Sequence, residues 1–442
     1  MKDLTGGSPI KLIIYFTLPI IAGNLLQLLY TLVDTYIVGQ TLGVSALAAI
    51  GSGVTLFHLL FGLSNNIAIG FALVTSQAYG AKDMESVKKS FATGIVLVLL
   101  ISLVLMAIFI PTAGLILKAM RTPQEILSQA RDYLTILLYG IAAFMMFNLF
   151  AGVLRGVGDS KTPVYFLALT NLLNIILDYF FILVLKTDVS GVALATVISQ
   201  VTSCICCIVY ISKKYPDIMP TIQHLKAFRS QLKQHLKLGM PMGFQQSVIE
   251  IGNMIVQFMI NGLGVTAIAA VVAAQRIRAV AMMPMFSLGN AMHFYTAQNF
   301  GAGLITRIKD GVKSSLTVIT TFGLLVTVVL VIFSKNIVSI FVNDATVIAM
   351  ATDYLTVQGS MIIMLGVLLV LRSTLQGMGI VSAPTYAGIT EFITSATTAV
   401  VLVPVVGFWG ITLTNPLAWI LASVPLIITY VRTIKNNTDL PA

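Results

Sequence analysis

Charge is what this sequence has least of. Asp, Glu, Lys and Arg make up 10% of its 442 residues, while 57% are hydrophobic and the mean hydropathy is +0.95. Soluble chains carry about 25% charged and about 45–50% apolar residues, so a water-soluble globule is excluded. Cysteine is scarce too: Cys204, Cys206 and Cys207 crowd into one apolar run. They are odd in number and too close together for a disulfide framework or a zinc site, and they read as small hydrophobes in a membrane helix. The four histidines, His58, His224, His235 and His293, are scattered. An integral membrane transferase would need them clustered with acids at one membrane face. No HExxH, GxSxG or CxxC pattern occurs, and the nearest thing to a phosphate loop, Gly156 to Thr162 (GVGDSKT), lacks the glycine that must precede its lysine. The chain is therefore expected to be neither an enzyme nor ATP-driven, and to need no cofactor.

What is present is apolar sequence in long runs. A spanning helix takes roughly 20 apolar residues, and twelve such segments start near residues 14, 49, 91, 132, 163, 190, 237, 268, 312, 352, 385 and 408. The first, Ile13 to Val38, is too long for a cleavable signal. The net charge of +10 would suggest a nucleic acid partner in a soluble protein. Here it follows from orientation, because basic residues gather in cytoplasmic loops. With the N-terminus inside, the outer segments hold only Lys118, Arg121, Arg131, Lys186 and Lys335. Arg276, Arg278 and Arg372 fall within spans, and all other Lys and Arg, from Lys2 to Lys435, lie inside. Both termini are thus expected to be cytoplasmic. The three intramembrane arginines are expected to snorkel.

The two halves of the chain repeat one another. LGVSALAA at Leu42 to Ala49 returns as LGVTAIAA at Leu263 to Ala270, an offset of 221 residues. At the same offset QAYGA (Gln77 to Ala81) returns as QNFGA (Gln298 to Ala302), and DYLT (Asp132 to Thr135) returns as DYLT (Asp353 to Thr356). Gly156, Gly158 and Pro163 return as Gly377, Gly379 and Pro384. An even number of spans per copy makes the repeats parallel, related by an axis along the membrane normal. The expected fold is an all-α polytopic membrane protein of two six-helix lobes, residues 1–211 and 237–442, joined by a polar cytoplasmic linker at 212–236. Pro19, Pro241 and Pro284 interrupt spans and allow kinks.

Ionisable groups in hydrocarbon are costly, so intramembrane acids point to function. Four stand inside apolar runs: Asp34, Asp178, Glu250 and Glu391. On the first span Asn24, Gln27, Thr31 and Asp34 share one helical face, and on the seventh Gln246, Glu250, Asn253 and Gln257 share another. Both stripes must face protein or water, and they are candidates to line a substrate cleft. On the fifth span Asn171, Asn174 and Asp178 align, and the spacing of Asn174 and Asp178 lets the amide hold the carboxylate or share a ligand with it. Two acids on helices of one lobe can share a proton, or can cage a small monovalent cation with amide and hydroxyl oxygens. The offset maps Asp34, Asn174 and Asp178 to Ile255, Ser395 and Ala399, so ion coupling is expected in the first lobe. His58 and His293 read as core histidines.

At LPIIAGNLLQLLYTLVDTYIVGQTLG, QAYGA with QNFGA, and RGVGDSKTP with QGMGIVSAP, nearly the whole chain resembles the multidrug and toxic compound extrusion (MATE) family. That family sits in a larger grouping that also holds lipid-linked oligosaccharide flippases. The resemblance implies a V-shaped pair of lobes and a cation-coupled antiporter that exports amphipathic, often cationic drugs in exchange for H+ or Na+. It implies an ion site at Asp34, Asn174, Asp178 and Thr196, with Na+ a candidate occupant, and places Glu250 where sodium-coupled relatives carry a seventh-span glutamate. Those relatives carry a further acid on the tenth span. This chain has none between Tyr354 and Gln376, and Glu391 on the eleventh span is the candidate substitute among the intramembrane acids. The expected partners are small amphipathic molecules and membrane lipids, and the expected state is a monomer in the plasma membrane. A flippase for a lipid-linked sugar is the alternative within transport, and it would need basic residues lining the cleft.

Overall fold

A computed structural model describes residues 3–438. Met1, Lys2 and the last four residues lie outside the described part. The chain is helical from end to end. The first sequence half forms α1 (Pro9–Thr41), α2 (Gly43–Gly80), α3 (Met84–Ala119), α4 (Gln124–Tyr139), α5 (Ile141–Gly156), α6 (Thr162–Tyr179) and α7 (Val189–Lys214). The second forms α8 (Phe228–Gly262), α9 (Val265–Gly301), α10 (Ile305–Val338), α11 (Ala345–Ser360), α12 (Ile362–Gly377), α13 (Ser382–Val406) and α14 (Phe408–Thr438). Among the described residues nine helices are long and apolar enough to cross a membrane. The pairs α4–α5 and α11–α12, bent by 46° and 48°, each make one more span. The twelfth predicted span is α8, whose apolar run is broken by Gln245, Gln246, Glu250, Asn253 and Gln257. Side chains such as Leu103, Leu115, Leu183, Leu325 and Ile332 are exposed, as a lipid-facing surface requires.

The repeat is written into the backbone. The bend after α4 falls at Gly140 and the bend after α11 at Met361, 221 residues later. Gly43 and Gly264 both take positive φ (82° and 92°), as do Gly158 and Gly379 (89° and 81°). These turns need the left-handed region that glycine enters without steric cost, which explains why the glycines recur in both copies. Packing partners recur as well: α2 lies on α5 and α6 on α7, while α9 lies on α12 and α13 on α14.

The compact units differ from the sequence halves in one respect. One unit is Pro19–Gly243; the other combines Leu4–Leu18 with residues 244–438. The boundaries cut α1 at Pro19 and α8 just after Pro241, where proline removes a backbone hydrogen bond. Each unit thus holds the leading part of the helix that opens the other sequence half. In the second unit Gln298 Oε1 accepts from the Leu4 amide (3.1 Å), Asn299 Nδ2 donates to the Leu4 carbonyl (3.1 Å), and Arg307 donates to the Gly7 carbonyl (3.0 Å). In the first unit buried His235 bonds the Ser90 hydroxyl (3.0 Å) and the Gln231 carbonyl (2.9 Å). A Cβ on Gly239 would strike the Phe71 ring. Within the expected linker at 212–236, 3-10 turns at Pro216–Ile218 and Ile222–Ala227 pack on α3, and His224 sits 3.4 Å from Glu85.

Candidate functional site

In the first unit α6 is set by its start. Asp159 accepts from the Thr162 amide (3.0 Å) and hydroxyl (2.6 Å), Pro163 occupies the first turn, and one face then turns inward through Asn171, Asn174 and Asp178. Asp178 is fully buried, and one residue after Tyr179 the helix widens into a π turn, Phe180–Val184. Such turns are frequent at functional sites. Asn171 Nδ2 donates to the Leu26 carbonyl (3.3 Å), tying α6 to α1. That contact brings Asp34, on α1, to Asp178.

The two carboxyl groups meet within hydrogen-bonding contact. Carboxyl oxygens can approach this way only with a proton or a cation between them. The hydrogen-bond pattern orients the Asn174 amide with its nitrogen donating to Asp178 Oδ2 (2.9 Å) and the Tyr30 hydroxyl (3.2 Å). Its oxygen accepts from the Thr196 amide (3.1 Å) and hydroxyl (3.2 Å). Oδ1 of Asp34 and Oδ1 of Asp178 are buried and have no donor. No basic side chain compensates them: the ion pairs among the described residues are Lys89–Glu85, His224–Glu85 and Arg372–Glu391. Two orphaned carboxylate oxygens, with the Asn174 amide linking Asp178 to the Tyr30 and Thr196 hydroxyls, form an oxygen-rich nest, the donor chemistry that suits a proton or a hard cation.

The rest of the first-span stripe behaves differently. Asn24 is half-buried, while Gln27 and Thr31 are exposed and the Thr31 hydroxyl donates to the Gln27 carbonyl (3.0 Å). Two tyrosines absent from the sequence reading belong to the site: Tyr30, one turn before Asp34, and buried Tyr133, on α4 near both acids. Tyr133 lies in the repeated DYLT block, which was a signal for it. Tyr30 gave no signal beyond its place on the polar face.

The second unit carries another polar interior. A cavity of about 450 Å³ is lined by Gln246, Glu250, Asn253, Arg278, Arg372 and Glu391 among apolar residues that include Met282, Phe286 and Trp419. Glu250 Oε1 accepts from Gln246 (2.8 Å) and Oε2 from Asn253 (3.2 Å), so this stripe does converge on its acid. Gln257 does not join it; it is exposed and donates to Asn261 (2.9 Å). Snorkelling fails for two arginines. Arg372 forms an ion pair with Glu391 inside the lobe, and Arg278 lines the cavity and donates to Gln358 (3.4 Å). Their partners lie on α11 and α13, at sequence separations that helical periodicity does not report. Arg276 is exposed. His293 is a core histidine, bonded through Nε2 to Gln376 (2.7 Å), which in turn donates to Gln245 (2.9 Å), while its Nδ1 is buried without a partner.

The sequence profile of the MatE family matches this chain twice, over residues 19–180 and 241–401. The chain belongs to the MatE family. Two matches in one chain repeat at almost the interval of the internal duplication. The chain is 30% identical to the probable multidrug resistance protein YoeA of Bacillus subtilis over 381 residues, covering 85% of this chain and 82% of that one. It is 25% identical to the multidrug export protein MepA of Staphylococcus haemolyticus over 370 residues, covering 84% and 81%. A multidrug resistance MATE family transporter solved in an outward-facing conformation shares its fold, with a TM-score of 0.91 at 21% identity over 99% of this chain and 98% of that one.

Proposed function

We propose that this MatE protein is a secondary antiporter that exports amphipathic, often cationic compounds in exchange for H+ or Na+ by alternating access. In this reading it works as a monomer in the plasma membrane, with both termini cytoplasmic and lipid around its apolar faces. The observation that carries the reading is the Asp34–Asp178 pair, with Asp178 fully buried and Asp34 half-buried, without a basic partner and with an orphaned buried oxygen on each carboxyl. An uncompensated acid pair in hydrocarbon is expensive, and taking up one monovalent cation relieves that cost. Asn174 holds the Asp178 carboxylate in place, while Thr196 and Tyr30 supply oxygens around the gap. An ion that stabilises one state of the protein and a drug that stabilises the other are coupled through the equilibrium between those states. The relatives named for multidrug resistance and multidrug export support the substrate side of the reading.

The test is reconstitution into liposomes with a fluorescent amphipathic cation. Movement of the dye only when a proton or sodium gradient is imposed, and its loss in Asp34→Asn with the protein still folded and inserted, is the expected result. Dye movement that ignores both gradients, or full drug resistance in cells carrying Asp34→Asn, overturns the coupling. A flippase for a lipid-linked sugar would leave the dye where it started under either gradient.

A further inference from the structure

Two lysines near the start of α10 stand on one exposed face without an acid. Lys309 and Lys313 are four residues apart, a spacing at which like charges repel. None of the ion pairs among the described residues includes either of them, or Asp310 beside them. They open a groove of about 650 Å³ between α10 and α14, which continues past Leu316, Thr317, Thr320 and Thr321, with Tyr430 of α14 on the facing side. From Lys309 to Thr321 the groove follows about 18 Å of helix axis, close to the thickness of one leaflet with its headgroups. Beyond it the exposed side chains of α10 turn apolar, with Leu324, Leu325 and Val328.

The other copy of this helix shows that the polarity is not required by packing. At the 221-residue offset Thr317, Thr320 and Thr321 correspond to Val96, Leu99 and Leu100 on α3, and Lys313 to Ala92. Leu99 and Leu100 are exposed, as contact with hydrocarbon demands, and Lys89 there is paired with Glu85 at 3.2 Å. On the equivalent face α10 presents charge and hydroxyls instead, where a polar group left against lipid tails is costly. Two ammonium groups against one carboxylate leave the groove a single positive charge, complementary to an amphiphile with a single negative one.

We propose that the groove between α10 and α14 holds one anionic phospholipid with a polyol head, of the phosphatidylglycerol class. Lys309 and Lys313 meet the phosphodiester, and the Asp310 carboxylate accepts hydrogen bonds from the head hydroxyls. Tyr430 sits at headgroup level, where amphipathic rings are favoured, and the chains run past Thr321 onto Leu324 and Leu325. The site lies wholly in the second unit and is independent of whether export is coupled to an ion.

Native mass spectrometry of the purified protein in detergent tests this. The protein is titrated with phosphatidylglycerol, phosphatidylethanolamine or phosphatidylcholine of identical chains, or with glycerol 1-phosphate, and the retained molecules are counted at each concentration. The expected result is one phosphatidylglycerol held about fivefold more tightly than either zwitterionic lipid, with glycerol 1-phosphate not retained. Lys309→Gln and Lys313→Gln should each weaken that binding about fivefold, the size of one lysine's attraction to an anionic lipid. Lys335→Gln, the same charge loss on an exposed residue in the last turn of α10, should leave it unchanged. Phosphatidylglycerol binding no tighter than phosphatidylcholine overturns the site. So does phosphatidylethanolamine binding as tightly, which would put an ammonium group on Asp310, or glycerol 1-phosphate binding as tightly, which would make this a site for a free phosphate ester. These three outcomes use the unaltered protein and so do not depend on whether a variant folds. Full affinity in both lysine variants, or an equal loss in Lys335→Gln, would overturn it as well.

Discussion

The two lobes share a backbone and have opposite polar interiors. Bends at Gly140 and Met361, and the positive-φ glycines at 43 and 264 and at 158 and 379, recur at one offset. Yet the first lobe brings two acids, Asp34 and Asp178, together without a base, while the second neutralises Glu391 with arginine and leaves Glu250 to two amide donors. The positions do not correspond: Asp34 and Asp178 face Ile255 and Ala399 in the copy, while Arg372 and Glu391 face Ala151 and Thr170. Duplication preserved the packing glycines and prolines and left the polar interior free to diverge. An uncompensated pair can take up and release a small cation. A paired acid cannot do so without first losing its partner. The second lobe has no pair of acids in contact, and that contrast is why coupling is assigned to the first lobe.

The largest effect should come from breaking the unpaired side. Asp178→Asn, like Asp34→Asn, is expected to bring gradient-driven dye movement down to that of protein-free liposomes. The Arg372→Gln and Glu391→Gln double variant should retain it. Equal losses in both lobes would erase the distinction. Next in size is the paired side itself. Either single change leaves a buried charge alone and should destabilise by about 3–5 kcal/mol, with the double change recovering most of it. Thermal unfolding in detergent reads this out, and additive single effects would mean that the pair is not coupled.

Two smaller predictions sharpen the comparison at equivalent backbone positions. Gly239→Ala presses a methyl group into the Phe71 ring and should cost about 1–3 kcal/mol. The same change at its counterpart, Leu18→Ala, falls on an exposed side chain and should be close to neutral. The smallest effect concerns the entry to the third span of each lobe. Asp83 caps α3, accepting from the Ser86 amide (3.0 Å) and hydroxyl (2.6 Å), whereas its counterpart Leu304 opens α10 with no side-chain cap. Those bonds from Ser86 hold the Asp83 carboxyl below its ordinary range. Its contribution is therefore present above the unfolded carboxylate pKa and lost as pH falls through the lower, folded one. Asp83→Ala should cost about 1 kcal/mol near neutral pH and less in acid, by the same thermal measurement; Leu304→Ala should show no such pH dependence.

Much of the site was legible because it obeys helical periodicity. Asn174 and Asp178 are four apart on one helix, and their cooperation could be read from spacing alone. So could the convergence of Gln246 and Asn253 on Glu250. The Arg372–Glu391 pair could not, because it joins α12 to α13 across a turn whose geometry no local pattern encodes. The same holds for Arg278 with Gln358. Gln257 shows the opposite failure: it has the right spacing, but it lies beyond the reach of the cavity and turns to Asn261. Polar composition marks residues 212–236 as a connector; within it the two turns lie against α3, and Tyr215, Ile218 and His235 are buried.

By itself the sequence determined that this is a duplicated, twelve-span membrane protein with acids stranded in its first lobe. Composition, period and repeat offset are properties of the chain that no packing can alter. Tertiary structure decided which of those acids stay unpaired. Whether a buried charge is neutralised depends on what the neighbouring helix places within about 4 Å, and that distance exists only after the helices have packed.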